Sequence, residues 1–469
     1  MPFTFSIHTL GCKVNQYDSE KLVHLLCKHG FVRKQFEEPV DVCIINTCAV
    51  THAAERKSRK LVSRARRLNP NSVVVALGCA VQLQKIMGKE SFPNADISIG
   101  VCETDYVLRT ILEAIGREVK GEGSIGVCSG AESEQPLIAE QTYVRANLKV
   151  QDGCGRMCAF CVVPFLRGKP RSRPVEEVIS EAKSLIASGC KEIVLCGICL
   201  GSYGVDLGGG VDLAVLIERL CELDGLVRLR LSSIDPRDVN ERLIKVAAHC
   251  DKLCKHFHIS LQSGDDELLK AMNRRYTTAQ YERIVNTIRE LMPEVAITTD
   301  VLVGFPGETE EQFENTLRFV ERIGFARVHV FKFSPRPFTK AASIEPQVKE
   351  HVLRKRLMRM HSLAKELSIK FRKQFIGQKL DVLVEDVKTV GSTVWSEGLT
   401  GNYIKVRIPK LIKPGEVVSV RLSCLLRDDS VLGENGEGVV KLTNEVAQPC
   451  ELYHPIAWKR NQFEEVGEL

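Results

Sequence analysis

Three cysteines fall within the eight-residue segment CGRMCAFC, at Cys154, Cys158 and Cys161, in a CxxxCxxC spacing. Three thiolates this close in sequence can ligate one metal centre without help from distant parts of the chain. A zinc ion would ask for a fourth ligand nearby, and the following VVPFLRGK (162–169) offers neither histidine nor cysteine. A four-iron cluster held by three cysteines instead leaves one iron open to a small molecule. The loop also carries Gly155 and Arg156, so it does not read as an apolar run of packed cysteines.

A second set is dispersed. Cys12, Cys48 and Cys79 occur in LGC, NTC and LGC, just past the apolar runs 3–9, 40–46 and 72–77. Those runs read as strands, the last two continuous and buried in the manner of a parallel sheet. The C-terminal ends of parallel strands share one edge, where α/β folds bind ligands, so thiols 36 and 31 residues apart can converge. One cysteine after a strand is ordinary packing. Three in equivalent places read as a ligand set. Cys43 within a strand and Cys27 on the apolar side of a helix read as packing, and Cys196, Cys199, Cys221, Cys250 and Cys254 are given no role.

The elements that must position these residues fall into three groups, as expected for 469 residues at ~150 per domain. Residues 1–117 alternate short strands with helices, one capped by Asp18 and Ser19, another over residues 53–68 with Ala54, Ser58, Leu61, Ala65 and Leu68 on one stripe. A Gly-, Glu- and Ser-rich linker is expected at 118–142. Residues 143–376 offer six strand candidates, at 147–151, 192–197, 227–232, 256–262, 296–303 and 327–333, with helical patterns between. Repeated βα units of this number predict a partial barrel, followed by a long amphipathic helix carrying Leu353, Leu357, Met360, Ala364, Leu367 and Phe371. From 377 to 445 the period changes to two, predicting a small antiparallel β-barrel, and 446–469 form a tail. The fold class is therefore α/β with a small β-barrel appended.

Hydrophobic residues make up 44% and charged residues 26%, which excludes a disordered or fibrous chain. No apolar run reaches the ~18 residues of a membrane span, and the first residues do not read as a signal peptide, so a cytoplasmic protein is expected. In a reducing compartment 18 cysteines do not read as a disulfide framework. The net charge of +6 is unevenly distributed: residues 53–68, 167–173 and 349–375 together carry +17, and the remainder −11. Such asymmetry points to a polyanionic partner, although on 53–68 a solvated helix face explains the same pattern.

TLGCKVNQYDSE (9–20), NTCAVT (46–51), the radical-loop motif at 154–173, GSYG (201–204), RLSSIDP (230–236), HISLQSGDDELLKAMNR (258–274) and DVLVGFPGETEEQF (300–313) together resemble the radical S-adenosylmethionine methylthiotransferases. The end resembles the RNA-binding TRAM module. The KVN after Cys12 and the basic segment after NTCAVT look most like the branch acting on threonylcarbamoyl-modified adenosine beside the anticodon of tRNA. Departures are Ser260, the segment FSPRPFTKAA (333–342) and the absence of an aromatic after Cys79.

The resemblance implies two 4Fe-4S clusters, one on Cys154, Cys158 and Cys161 that cleaves S-adenosylmethionine to a radical, and an auxiliary one on Cys12, Cys48 and Cys79. S-adenosylmethionine would be used twice, the second time to methylate sulfur. An electron donor such as flavodoxin or ferredoxin is implied, the sulfur source is left open, and no membrane is involved. Gly197, Ser233, Gln262, Ser263 and Gly304, at strand C-termini, are candidates for binding S-adenosylmethionine, with ordinary turn or core packing the competing explanation for each. In the last domain Lys405, Arg407 and Arg421 are candidate RNA contacts. Competing functions are methylthiolation of isopentenyladenosine in tRNA or of a ribosomal protein, and a non-enzymatic iron–sulfur RNA-binding protein.

Overall fold

The computed structural model describes residues 2–89, 91–116, 144–390 and 393–434. The expected linker at 118–142, the stretch beyond 434 and the tail 446–469 lie outside the described residues.

The first sheet is wholly parallel, in the order β2-β1-β3-β4-β5, from β1 (Thr4–Thr9), β2 (Val32–Arg33), β3 (Val42–Thr47), β4 (Val73–Gly78) and β5 (Ile97–Ile99). Helices α1 (Lys13–Lys28) and α4 (Thr104–Ala114) contribute to the core on one face, and α2 (His52–Leu68) and α3 (Cys79–Ile86) to that on the other. With both faces covered, β3 and β4 can be apolar throughout. Three expectations need correction. α1 starts at Lys13 with Cys12 as its N-cap, not at Asp18 and Ser19: the Asp18 carboxylate is drawn to Lys149, and Ser19 is buried against Asn46 and Thr9. The buried stripe of α2 is Ser58, Val62 and Ala65, leaving Leu68 exposed. Cys27 is exposed on α1 rather than packed.

The central unit is a partial barrel. Its wall runs from β6 (Arg145–Asp152), edged by the short antiparallel β7 (Arg171–Ser172), through β8 (Glu192–Gly197), β9 (Arg228–Leu231) continued by β10 (Ser233–Ile234), β11 (His256–Ile259), β12 (Ala296–Val303) and β13 (Arg327–Lys332). Between them lie α5 (Val163–Arg167), α6 (Val175–Ala187), α7 (Leu213–Cys221), α8 (Glu241–His249), α9 (Asp266–Ala271), α10 (Thr278–Leu291) and α11 (Glu310–Ile323). Capping boxes Thr277/Gln280 and Thr309/Gln312 start the last two. Side chains alternate: Ala146, Leu148, Val150, Phe257, Ile259, Val328 and Val330 pack outward under the helices. Arg145, Asn147, Lys149, His256, His258, Thr298, Asp300 and His329 therefore face the lumen, which is polar. The Cys221 and Cys250 sulfurs, at the ends of α7 and α8, are bonded to each other, an exception to the expectation of thiols throughout.

Helix α12 (Glu350–Lys373) buries Leu353, Met360, Ala364 and Leu367. Strands β14 (Lys379–Val390), β15 (Thr393–Thr400), β16 (Lys405–Ile408), β17 (Val417–Leu425) and β18 (Val431–Glu434) then close a barrel in the order β14-β15-β16-β18-β17. It docks on the N-terminal ends of the central strands. Arg228 donates to Leu399 O and Asp381 O at 2.7 Å each, Arg230 donates to Thr400 O and Gly401 O at 3.2 Å each, and the Tyr403 ring stacks on His256 at 4.5 Å.

Arg230 and Glu192 form a fully buried pair, Nε to Oε1 at 2.7 Å and Nη2 to Oε2 at 3.2 Å. Burial opposes ionisation of Glu192, but Arg230 outweighs it and holds the carboxyl below its ordinary range. Arg230→Met should therefore destabilise the protein by about 3–5 kcal/mol at neutral pH, read as a lower midpoint in thermal or denaturant unfolding. Without Arg230, burial shifts Glu192 upward, so the deficit should shrink as pH falls into the carboxylate range and Glu192 takes up a proton before the wild-type carboxyl does, and E192L added to R230M should recover most of it.

Candidate active site

The loop after β6 turns sharply into the cysteine segment. At Gly153 (φ +74°) a Cβ would stand 2.0 Å from Lys169 O, so only glycine fits there. Cys154 N donates to Gly168 O at 3.0 Å and Cys161 N to Cys158 O at 3.1 Å. Met157 is left-handed, and its carbonyl is held by Asn273 Nδ2 at 2.8 Å. Two guanidiniums address the sulfurs. Arg274 donates to Cys158 Sγ at 3.4 Å while paired to Asp235 at 3.0 Å, and Arg156, paired to Asp238, donates to Cys199 Sγ at 3.5 Å. Hydrogen bonding between Cys154 and Cys199, with burial added, raises the Cys154 thiol, while the same hydrogen bond lowers Cys199 against the opposing effect of burial. Burial pushes Cys161 up to about 12.

The dispersed set lies at the C-terminal edge of the first sheet. Cys12 is the N-cap of α1, Cys79 is the first residue of α3, and Cys48 lies just ahead of α2, whose N-cap is Thr51. A parallel α/β layer puts helix N-termini at this edge, and their partial positive charge favours thiolate and anionic groups. A Cβ at Gly11 (φ +104°) would lie 3.1 Å from Cys48 Sγ, so the turn bearing Cys12 touches Cys48 directly. Burial pushes Cys48 up to about 12, with Cys79 and Cys12 adding to the shift across the same space. Asn15 Nδ2 bridges Leu10 O (2.8 Å) and Thr47 O (3.2 Å), tying together the turns that carry Cys12 and Cys48.

Arg167, at the end of α5, joins the two sets. It is buried, binds both Asp152 oxygens at 3.0 and 2.9 Å, and donates to Asn15 Oδ1 at 2.6 Å. It also opposes the burial that raises the Cys79 thiol. Val162 and Leu166, either side of α5's first residues, pack in the core of the N-terminal unit. A second tie holds α2: Arg336, from the divergent segment 333–342, pairs with Glu55 at 2.7 Å and approaches His52 Nδ1 at 3.1 Å. Burial opposes ionisation of Glu55, and hydrogen bonds from Arg336 and Arg59 overcome it, lowering its pKa.

The other candidates divide. Ser233 is exposed and hydrogen-bonded to Ser260 Oγ at 2.8 Å, and Gln262 adopts φ +68° at the same strand ends. Gly197 allows close approach of Gln151, whose Oε1 accepts from Cys199 N at 2.8 Å. The Ser263 hydroxyl is instead engaged with Thr316 at 3.1 Å, and Gly304 N donates to Glu308 at 2.8 Å, so both make protein contacts. Among the expected RNA contacts, Lys405 and Arg407 are held by Glu397 at 3.2 and 2.7 Å, and Arg421 donates to Gly377 O. Arg167 and Arg173 are likewise paired inside the protein rather than forming a basic surface. On α2, by contrast, Arg56, Lys57, Lys60 and Arg67 are exposed and make no ion pair among the described residues.

Both cysteine sets fit iron–sulfur clusters better than single ions. Among the described residues no group of three His, Cys, Asp or Glu converges at the spacing of one metal ion, whereas a four-iron cubane spreads its ligands farther apart. The donors are all thiols, and each set has arginines beside it to balance an anionic cluster: Arg274 and Arg156 at one, Arg167 at the other.

Residues 148–320 match the family described as Radical SAM superfamily, and residues 4–100 match Uncharacterized protein family UPF0004. The chain is 37% identical over 86% of its length to the Threonylcarbamoyladenosine tRNA methylthiotransferase MtaB of Bacillus subtilis, covering 90% of that protein. It is 38% identical to the protein of the same description from Thermotoga maritima, over 81% of this chain and 86% of that one. It is also 39% identical to a tRNA-2-methylthio-N(6)-dimethylallyladenosine synthase of Clostridium botulinum, over 81% of this chain and 86% of that one. In fold it is similar to the radical S-adenosylmethionine methyltransferase TsrM of Kitasatospora setae, with a TM-score of 0.51, 17% identity, and coverage of 73% of this chain and 77% of that one.

Proposed function

We propose, from the premise that the chain belongs to the radical S-adenosylmethionine tRNA methylthiotransferase family, that it methylthiolates threonylcarbamoyl-modified adenosine beside the anticodon of tRNA. The observation that carries the two-centre chemistry is the placement of two three-cysteine sets on either side of α5. Cys154, Cys158 and Cys161 would hold one 4Fe-4S cluster and Cys12, Cys48 and Cys79 a second. When bound, these groups supply one-electron cleavage of S-adenosylmethionine and a sulfur site for methylation, chemistry beyond side-chain acids and bases.

The chain's own residues would do the rest. Arg274 and Arg156 would fix the cysteine loop and balance its charge, Arg167 would do so for the auxiliary set, and the short helix α5 links the two. Ser233, Gln262 and Gly197 would line the S-adenosylmethionine side of the cleft, with Ser263 and Gly304 supporting it from behind. A flavodoxin- or ferredoxin-like donor would supply the electron, and the setting would be cytoplasmic; among the described residues no helix is long and apolar enough to cross a membrane. The exposed basic face of α2 would take the tRNA backbone.

Mass spectrometry of tRNA nucleosides from cells with and without the gene tests the substrate. Loss of the methylthio form of threonylcarbamoyladenosine is expected. Loss of the methylthio form of isopentenyladenosine, or intact tRNA with a lighter ribosomal protein, would assign the alternative substrates. Anaerobically reconstituted protein should saturate at about eight irons, and a plateau near four would remove the second cluster. Changing Arg56, Lys57 and Lys60 to Gln should weaken tRNA binding and lower the salt slope by roughly 0.7–0.9 for each phosphate no longer neutralised. An unchanged slope would make that face a solvated surface only.

A further inference from the structure

We infer that Lys13, which follows the first cysteine of the auxiliary set and borders the barrel lumen, reads the carboxylate of the threonylcarbamoyl group. This rests on the substrate reading above.

Placement comes first. Lys13 opens α1 immediately after Cys12, and the residues one turn on along its face, Gln16 and Tyr17, both meet the barrel. Gln16 Oε1 accepts from Asn147 Nδ2 at 3.2 Å, and Tyr17 Oη donates to Glu181 at 3.0 Å. Val14 packs in the barrel's own core. The start of α1 is thereby set against the barrel, with Gln16 on the lumen-facing Asn147. Lys13 lies within electrostatic reach of Cys196 on β8, His256 on β11, His329 on β13 and Tyr403 of the C-terminal barrel.

The charge balance comes second. Other lumen cations are matched: Lys149 with Asp18 and Asp152, and Arg145 and Arg230 with Glu192. Lys13, and Arg327 at the start of β13, make no ion pair or side-chain hydrogen bond among the described residues. His329 adds no further positive charge, since burial and neighbouring His258 and Arg327 push it down to about 4, keeping it neutral. Asp300 is a lumen carboxylate that bears on His329, as Lys13 does. Its Oδ2 is taken by His258 at 3.0 Å and Ser260 at 3.3 Å, while its buried Oδ1 has no hydrogen-bond partner. This part of the lumen thus holds an unmatched lysine and one unfilled buried acceptor, both bearing on His329.

The ligand chemistry follows. A threonylcarbamoyl group brings a carboxylate for Lys13 and hydroxyl and N–H donors for Asp300 Oδ1. A dimethylallyl group brings only hydrocarbon, and seating it would strip water from Lys13 with nothing in return. The same lysine would therefore favour the first substrate and reject the second.

The test uses the full-length, anaerobically reconstituted protein and anticodon stem–loop RNA carrying threonylcarbamoyladenosine, either as the free acid or as its carboxylate methyl ester. Esterification changes the substrate carboxylate alone, so it separates this contact from one to phosphate or to the carboxylate of S-adenosylmethionine. Equilibrium binding and methylthio product are both measured, and iron content confirms that each variant is intact. The wild-type protein should prefer the acid by roughly tenfold to a hundredfold, the scale of a charge-assisted hydrogen bond. Lys13→Gln should lose that preference by weakening on the acid only, and Lys13→Arg should retain much of it. If K13Q keeps the wild-type preference, loses equally on both RNAs, or the wild-type protein does not distinguish them, the role of Lys13 is overturned while the substrate reading stands. If the wild-type protein modifies only dimethylallyl-bearing RNA, the substrate reading falls as well.

Discussion

The architecture depends on one desolvated guanidinium. Arg167 has almost no exposed surface, and a cation so placed is tolerable only where carboxylates surround it. Asp152 at the end of β6 and Asp18 on α1 supply the charge, and Asn15 accepts a further hydrogen bond. These partners come from two units far apart in sequence, so satisfying Arg167 brings the N-terminal sheet against the barrel in one orientation. The hydrophobic contribution is local to the same helix, because Val162 and Leu166 are buried with Ala80, Val81 and Leu83 of α3 rather than with the barrel. Charge neutralisation and apolar burial thus act through one short turn of helix, and the Arg336–Glu55 contact repeats the arrangement on the far side of α2.

The elements of this fold are legible where burial imposes a pattern. β3 and β4 are enclosed on both faces and appear as near-continuous apolar runs; the C-terminal strands have one face inward and alternate. Errors concentrate where tertiary partners override local preference. Asp18 and Ser19 have the composition of a helix cap, yet both are claimed from outside the helix, and the cap is a cysteine with no side-chain hydrogen bond to give. A cap chosen for its thiol leaves no capping signature to read.

The candidate site is legible in its cysteines and not in what surrounds them. CxxxCxxC is visible in one line of sequence, and the dispersed set follows from strand-end positions. Arg156, Arg167, Arg274 and Cys199 carry no comparable signal, because their roles arise from contacts across 43 to 152 residues of sequence. RGKPRSR has the look of a basic patch, and nothing in that string reveals that Arg167 is the cation enclosed. Segment 333–342 looks only like a departure from pattern, although Arg336 within it is among the largest fully buried side chains.

The C-terminal barrel is held largely by what Arg228 and Arg230 grasp, namely main-chain carbonyls of residues 381 and 399–401. Every amino acid presents that oxygen, so the seam constrains the backbone path of the small barrel far more than its side-chain identities. The outer face of this module can therefore vary in sequence without altering the joint. Tyr403, stacked on His256, adds a specific ring contact at this seam.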